Sequence, residues 1–225
     1  MKKFVILFFI FGFLNSFSQI IYERIERNIL KEVSFQNIKV IFSKTGPFII
    51  EKNSKKIFSG GFWLAQGCIK TNDKTKFTHE EWQFNDFDGK LKGEIITETP
   101  LTIKIDSCHF AKNSIGFKET LTLIGKTIKI EYEFEIDKNT DYPVNIYINF
   151  DFEPEVLNRE ITPFIDEEKA MYETKMGSII ISYSSEFLPD RFNADLWRCF
   201  RISIGFPGGL KKGDKKNGEI NINLP

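Results

Sequence analysis

Thr127-Ile128-Lys129-Ile130-Glu131-Tyr132-Glu133-Phe134-Glu135-Ile136 is the stretch whose reading decides the fold. Every even position is apolar and every odd position is polar or charged. Successive side chains of a strand point to opposite faces, so this pattern describes a strand with one dry face and one wet face. A second stretch keeps the same parity: Val144, Ile146, Ile148, Phe150 and Phe152 alternate with Asn145, Tyr147, Asn149 and Asp151. Upstream, Phe117, Leu121 and Leu123 lead into Gly125-Lys126, a pair suited to a tight turn. The pattern predicts three adjacent antiparallel strands.

Working outward, short strands and turns continue in both directions. Ile38, Val40 and Phe42 alternate, Lys44-Thr45-Gly46-Pro47 turns the chain, Phe48-Ile49-Ile50 returns, and Asn53-Ser54-Lys55-Lys56 turns it again before Ile57-Phe58. Further strands are expected at Leu91–Ile96, at Leu101, Ile103 and Ile105, and at Ile179–Tyr183. Two more follow, through Phe200, Ile202, Ile204 and Phe206, then through Ile220, Ile222 and Leu224. Ser59–Leu64 reads as less regular, its Gly60-Gly61 pair marking a bend or a close backbone approach. Residues 20–32 carry Ile21, Ile25 and Ile29 at a four-residue spacing, which fits a short helix or an irregular arm. Asp166–Tyr172 fits one or two helical turns, acidic at the end that a helix dipole favours. About ten or more alternating strands must bury their apolar faces against something, which predicts an all-β, two-sheet antiparallel β-sandwich, supersandwich-like, with few short helical turns.

The first residues read as an export signal. Met1-Lys2-Lys3 is basic, Phe4–Leu14 is apolar, and Ser16 and Ser18 are small residues at the positions a signal peptidase reads. The apolar run is shorter than the roughly 20 residues that span a bilayer. The expected organisation is a signal peptide over 1–18 and a single sandwich domain over 19–225, exported to the periplasm or beyond, as in a bacterial secreted protein, and not stably inserted in a membrane once the signal is removed. Cleavage would leave 29 basic residues (31 minus Lys2 and Lys3) against 31 acidic ones, a net charge of −2. That balance excludes the clustered basic footprint of a nucleic-acid binder. Cys68, Cys108 and Cys199 are widely spaced and form no CxxC or Cys/His ligand pair, so neither a metal site nor a cofactor is expected. One pair could close a disulfide, or all three could pack as small hydrophobic groups.

The run Phe117–Tyr132, with its Gly125-Lys126 turn, is similar to the central hairpin of galactose mutarotase-like sandwiches, which occur as sugar epimerases and as accessory domains of glycan-processing enzymes. Tyr142-Pro143-Val144 fits the proline-bearing loop before the next strand, and Phe206-Pro207, Leu210–Asp214 and Glu219–Leu224 fit the closing elements. The resemblance covers residues 36–225 by order of elements. The chain is short for a full epimerase of this fold, so the resemblance implies a reduced or accessory version.

Epimerases of that fold use acid–base histidines and a carboxylate, and this chain has His79 in Thr78-His79-Glu80-Glu81-Trp82 and His109 in Ser107-Cys108-His109-Phe110. Either could move a proton beside a carboxylate near neutral pH. Neither aligns with a family motif, so no catalytic residue is assigned. Glu135-Ile136-Asp137 resembles the start of the carboxylate strand of jelly-roll glucanases, but Lys138-Asn139-Thr140 follows where the second carboxylate should stand. Glu131, Glu133 and Glu135 share one strand face, the pattern of a solvated outer surface. His79-Glu80-Glu81 lacks the second His of a zinc-protease helix.

Aromatic residues with polar neighbours remain. Trp82 stands between Glu81 and Gln83, Trp197 precedes Arg198, and Trp63 follows the glycine pair. Sugar rings rest apolar C–H faces on aromatic rings while amides, carboxylates and guanidinium groups hold their hydroxyls. The expected ligand-binding set is therefore Trp63, His79, Glu81, Trp82, Trp197 and Arg198, with a glycan as ligand. The competing structural reading makes the three tryptophans core or loop anchors. The expectation is a secreted, non-catalytic carbohydrate-binding or accessory domain. The alternatives are a sugar-active enzyme of the same fold, working by epimerase-type proton transfer, and a structural or protein-binding secreted domain.

Overall fold

The computed structural model describes residues 29–43, 48–66, 82–84, 92–96, 101–110, 115–140, 144–189 and 199–225. The proposed signal, residues 1–18, lies outside them. The described strands are β1 (Ile29–Phe35), β2 (Ile38–Ser43), β3 (Phe48–Lys52), β4 (Lys55–Gln66), β5 (Trp82–Phe84), β6 (Lys92–Ile96), β7 (Leu101–Phe110) and β8 (Ile115–Ile124). They continue with β9 (Thr127–Ile136), β10 (Val144–Phe152), β11 (Phe164–Ile165), β12 (Lys169–Thr174), β13 (Gly177–Tyr183), β14 (Leu188–Pro189), β15 (Cys199–Phe206) and β16 (Lys215–Asn223). All pairings between them are antiparallel.

Two sheets of eight strands result. The first runs β1-β2-β3-β4-β10-β15-β14, with β5 also paired to β4. The long β4 shares one edge between β3 and β5, and β10 lies along its other edge. The second sheet runs β11-β12-β13-β16-β9-β8-β7-β6. The alternation that announced β9 holds: Ile128, Ile130, Tyr132, Phe134 and Ile136 are all buried.

The expected run of three neighbouring strands is corrected at its third member. β8 and β9 form a hairpin over Gly125, whose positive φ of 58° suits a residue without a side chain. β10 instead joins the first sheet between β4 and β15, and β9 takes β16 as its other neighbour. Both strands still aim their apolar sets into one core, from opposite sides. Phe152 and Phe200 of the first sheet meet Tyr172 and Tyr183 of the second: Phe152 stacks on Tyr172 with ring centroids 4.4 Å apart, and Phe200 lies 6.2 Å from Tyr172 and 5.8 Å from Tyr183. Full burial of each such side chain contributes roughly 1.5–3 kcal/mol.

Three local expectations are also revised. Ser59–Leu64 is regular strand within β4, and Gly60 is there because a Cβ would collide with the Phe48 ring. Asp166–Tyr172 forms no helical turn: Asp166 Oδ1 accepts from the backbone N–H groups of Glu168 and Lys169, both at 2.8 Å, and the chain turns straight into β12. Ile29–Glu32 belong to β1, not to a helix. The described residues contain no helix.

Candidate functional site

On the first sheet, Phe58, Ile146, Ile148, Phe150, Ile202 and Ile204 form the buried set facing the second sheet. The other alternate set belongs to the opposite face. Its rows follow from the register. Ile41, Ile49, Ser59, Asp151 and Cys199 are successive partners across β2, β3, β4, β10 and β15. Gly61, Asn149 and Arg201 form the next row, and Phe84, Trp63, Tyr147, Ser203 and Leu188 the one after it. Trp82, Ala65, Asn145 and Gly205 complete the series.

This face changes character across its width. Ile41 and Ile49 are buried, so the sheet is apolar on both sides near β2 and β3. Toward β10 and β15 it turns polar and aromatic. Arg201 Nε donates to Asn149 Oδ1 at 2.7 Å, and the Arg201 guanidinium stands 5.2 Å from the centre of the Tyr147 ring, in cation–π range. The planar guanidinium can stack and donate at once, a combination a lysine lacks. Asn149 is only 4% exposed. Ser59, equally enclosed, has a hydroxyl without a hydrogen-bond partner among the described residues. A buried hydroxyl in that condition costs free energy unless something bonds it. Leu188, by contrast, is 62% exposed at the end of the Tyr147 row.

Two residues expected at a site are brought together here. Trp63 is the cross-strand partner of both Tyr147 and Phe84, and Trp82 begins the adjacent β5 one row away. Both lie in strands, Trp63 within the stretch that reads as less regular in the sequence. His79, Glu81, Trp197 and Arg198 lie outside the described residues. His109 falls in β7, as the partner of Gly116 in the second sheet. Sequence reasoning missed Ser59, Tyr147, Asn149 and Arg201. The available signal was the polar half of β10, Asn145-Tyr147-Asn149-Asp151, which carries hydrogen-bonding and aromatic groups where an ordinary solvated face carries lysine and glutamate.

The second sheet shows that contrast. Its outer face bears Lys118, Glu131, Glu133 and Glu219 around an open groove that Ser184 and Glu186 also line. Each of these charges is paired: Lys118 with Glu133 at 3.2 Å, Lys129 with Glu131 at 3.0 Å and Glu219 at 3.1 Å, Lys216 with Glu186 at 2.9 Å. Glu135 is similarly matched by Lys215 at 3.3 Å. A hydrogen bond from Asn221 and the Lys129 ammonium hold the Glu219 carboxyl below its usual range. These carboxylates form a solvated ion-pair ladder, in agreement with the outer-face reading of Glu131, Glu133 and Glu135.

No protein-family model and no curated protein sequence matches the chain. Solved structures do. The α-N-acetylgalactosaminidase of Bifidobacterium bifidum, in complex with GalNAc, superposes with a TM-score of 0.55 at 12% identity over 87% of this chain and 36% of that one. The 4-α-glucanotransferase of Thermococcus litoralis gives 0.54 at 8% identity over 86% and 37%. This chain thus spans little more than a third of either enzyme. A galactose mutarotase related enzyme from Lactobacillus acidophilus matches over 86% of this chain and 96% of its own, at 10% identity and a TM-score of 0.45. The likeness is one of fold: an all-β sandwich that also occurs as part of the glucanotransferase and of the α-N-acetylgalactosaminidase.

Proposed function

We propose that the chain is an exported, non-catalytic carbohydrate-binding or accessory domain, and that the β4–β10–β15 face of its first sheet receives the glycan. The single observation behind this reading is the Arg201–Asn149–Tyr147 arrangement beside Trp63. An aromatic ring fixed under a guanidinium, with an enclosed amide next to it, offers a flat apolar surface and directed hydrogen-bond donors within one row of each other. A pyranose needs both, since its ring faces are apolar and its rim is hydroxylated. The occurrence of the fold in carbohydrate-active enzymes supports the ligand class.

The test is a polysaccharide and oligosaccharide array probed with the secreted protein, followed by calorimetry on any hit with wild type and Tyr147→Ala. Binding that weakens at least tenfold in a variant with an unchanged melting temperature supports the reading. Failure of the wild type to bind any glycan overturns it. Turnover of a bound sugar by the wild type would replace it with the enzyme reading.

A further inference from the structure

The second sheet holds a carboxylic acid where none is needed for packing. Glu119 occupies an inward position of β8, in series with Ile115, Phe117, Leu121 and Leu123, and is 1% exposed. Its register partners are Ile105 on β7 and Tyr132 on β9. Neither carboxyl oxygen has a hydrogen bond of normal geometry among the described residues; the interaction with the Tyr132 hydroxyl falls outside that geometry. Tyr132 is itself held firmly. Its ring stacks on Phe117 and Phe134 at 6.1 and 6.2 Å, and Phe187 meets it edge-on at 6.4 Å. Phe187 has room there because the β16 residue paired with Tyr132 is Gly218, where any Cβ would collide with the ring.

Among the residues whose side chains the structure describes, no charged group reaches this position. Lys118, Glu131, Glu133 and Glu219 stand on the opposite face of their strands. Lys52, the enclosed lysine on the inner side of the first sheet, is engaged by the Pro225 carbonyl and lies near Lys126 at the hairpin turn. Of the described titratable residues, Tyr132 is the one that acts on Glu119.

We propose that Glu119 is a built-in pH-sensitive lock: held as a neutral acid beside Tyr132, it keeps the β8–β9 core closed, and its loss of a proton in more alkaline surroundings loosens the sandwich there. Burial is the leading cause that lifts its pKa well above the usual carboxylate range; the Tyr132 hydroxyl opposes the rise. Tyr132 is raised as well, first by burial and then by the neighbouring carboxylate, so its hydroxyl stays neutral over the same range. A carboxyl with a raised folded pKa binds its proton more tightly in the folded chain than in the unfolded one. Its stabilising contribution is therefore complete below the unfolded value of about 4.3 and declines as pH rises toward the folded one. Among the described residues no counter-charge faces the carboxyl to receive the anion, and burying an unpaired charge is costly.

The experiment is urea unfolding of the full chain at stepped pH, wild type against Glu119→Gln, with infrared spectra of both. Gln keeps the shape and removes the proton. The folding equilibrium constant of the wild type should fall relative to E119Q by up to about tenfold per pH unit, the limit for one proton. A carboxylic-acid carbonyl band should be present in the wild type at neutral pH and missing in E119Q. Parallel pH profiles, or a wild type without that band at neutral pH, overturn the proposal. If E119Q does not fold, Glu119→Met and the infrared titration of the wild type alone decide it by the same criteria.

Discussion

Phe152 and Tyr172 stack face to face across the sandwich, with ring centroids 4.4 Å apart and planes 30° from parallel. One belongs to β10 in the first sheet and the other to β12 in the second, so this contact joins the two layers directly. Both residues are almost fully buried. Phe152→Ala should destabilise the domain by about 3–5 kcal/mol, through lost transfer free energy and the cavity left behind. Phe152→Leu should cost markedly less. Urea midpoints measured for both variants check this; equal losses would mean that volume at this position does not matter and that the sheets are not packed as described.

Ile130 and Lys129 are neighbours in β9 with opposite surroundings. Ile130 is fully buried, while Lys129 bridges Glu131 and Glu219 on the outer face. Ile130→Ala should cost roughly 2–5 kcal/mol. Lys129→Ala should cost less than about 1 kcal/mol, because exposed ion pairs contribute little and are screened by salt. Denaturation curves at low and high ionic strength separate the two, since only the lysine variant should converge on wild type as salt is added.

Gly218 and Phe187 should behave as a coupled pair. A methyl group at 218 meets the Phe187 ring, so Gly218→Ala forces the ring to move and should cost about 1–3 kcal/mol by overpacking. In a Phe187→Ala background the same change should be much milder. A double-mutant cycle on thermal or urea unfolding reads the coupling. Additive losses would show that the glycine serves something other than room for the ring.

These pairs also show what was legible in the sequence. Strict alternation at 127–136 specifies a strand and its inner face, because the side-chain period of a strand is 2 and a slip by one residue would expose the whole apolar set. It does not specify the neighbour. β10 has the same parity and would pair as well with β9 by pattern alone, yet it lies in the other sheet. Asp166 is ambiguous in the sequence because an acidic residue ahead of polar neighbours suits both a helix start and a side-chain-capped turn; the hydrogen bonds from the Glu168 and Lys169 amides distinguish them only in three dimensions. At the candidate site, Trp63 and Trp82 could be picked out by residue type. Tyr147, Asn149 and Arg201 could not, since their significance comes from a register between strands that are far apart in the chain.

Arg201 provides the sharpest separation of fold from site. Its Nε–H satisfies the enclosed Asn149 amide oxygen while its plane rests near Tyr147. Arg201→Ala leaves that oxygen with its donor removed, which should cost about 1–3 kcal/mol of stability. Arg201→Lys should restore the charge but neither the directed Nε–H bond nor the planar stack. If the arginine only supports the fold, the folded fraction of each variant should bind a glycan identified on the array as the wild type does. If the arginine also orients a sugar on Tyr147, both variants should bind it at least tenfold more weakly while still folded, with Arg201→Lys no better than Arg201→Ala. Urea unfolding and calorimetry on the wild type and the two variants give both readouts. Binding that follows stability across all three would assign Arg201 to the fold alone.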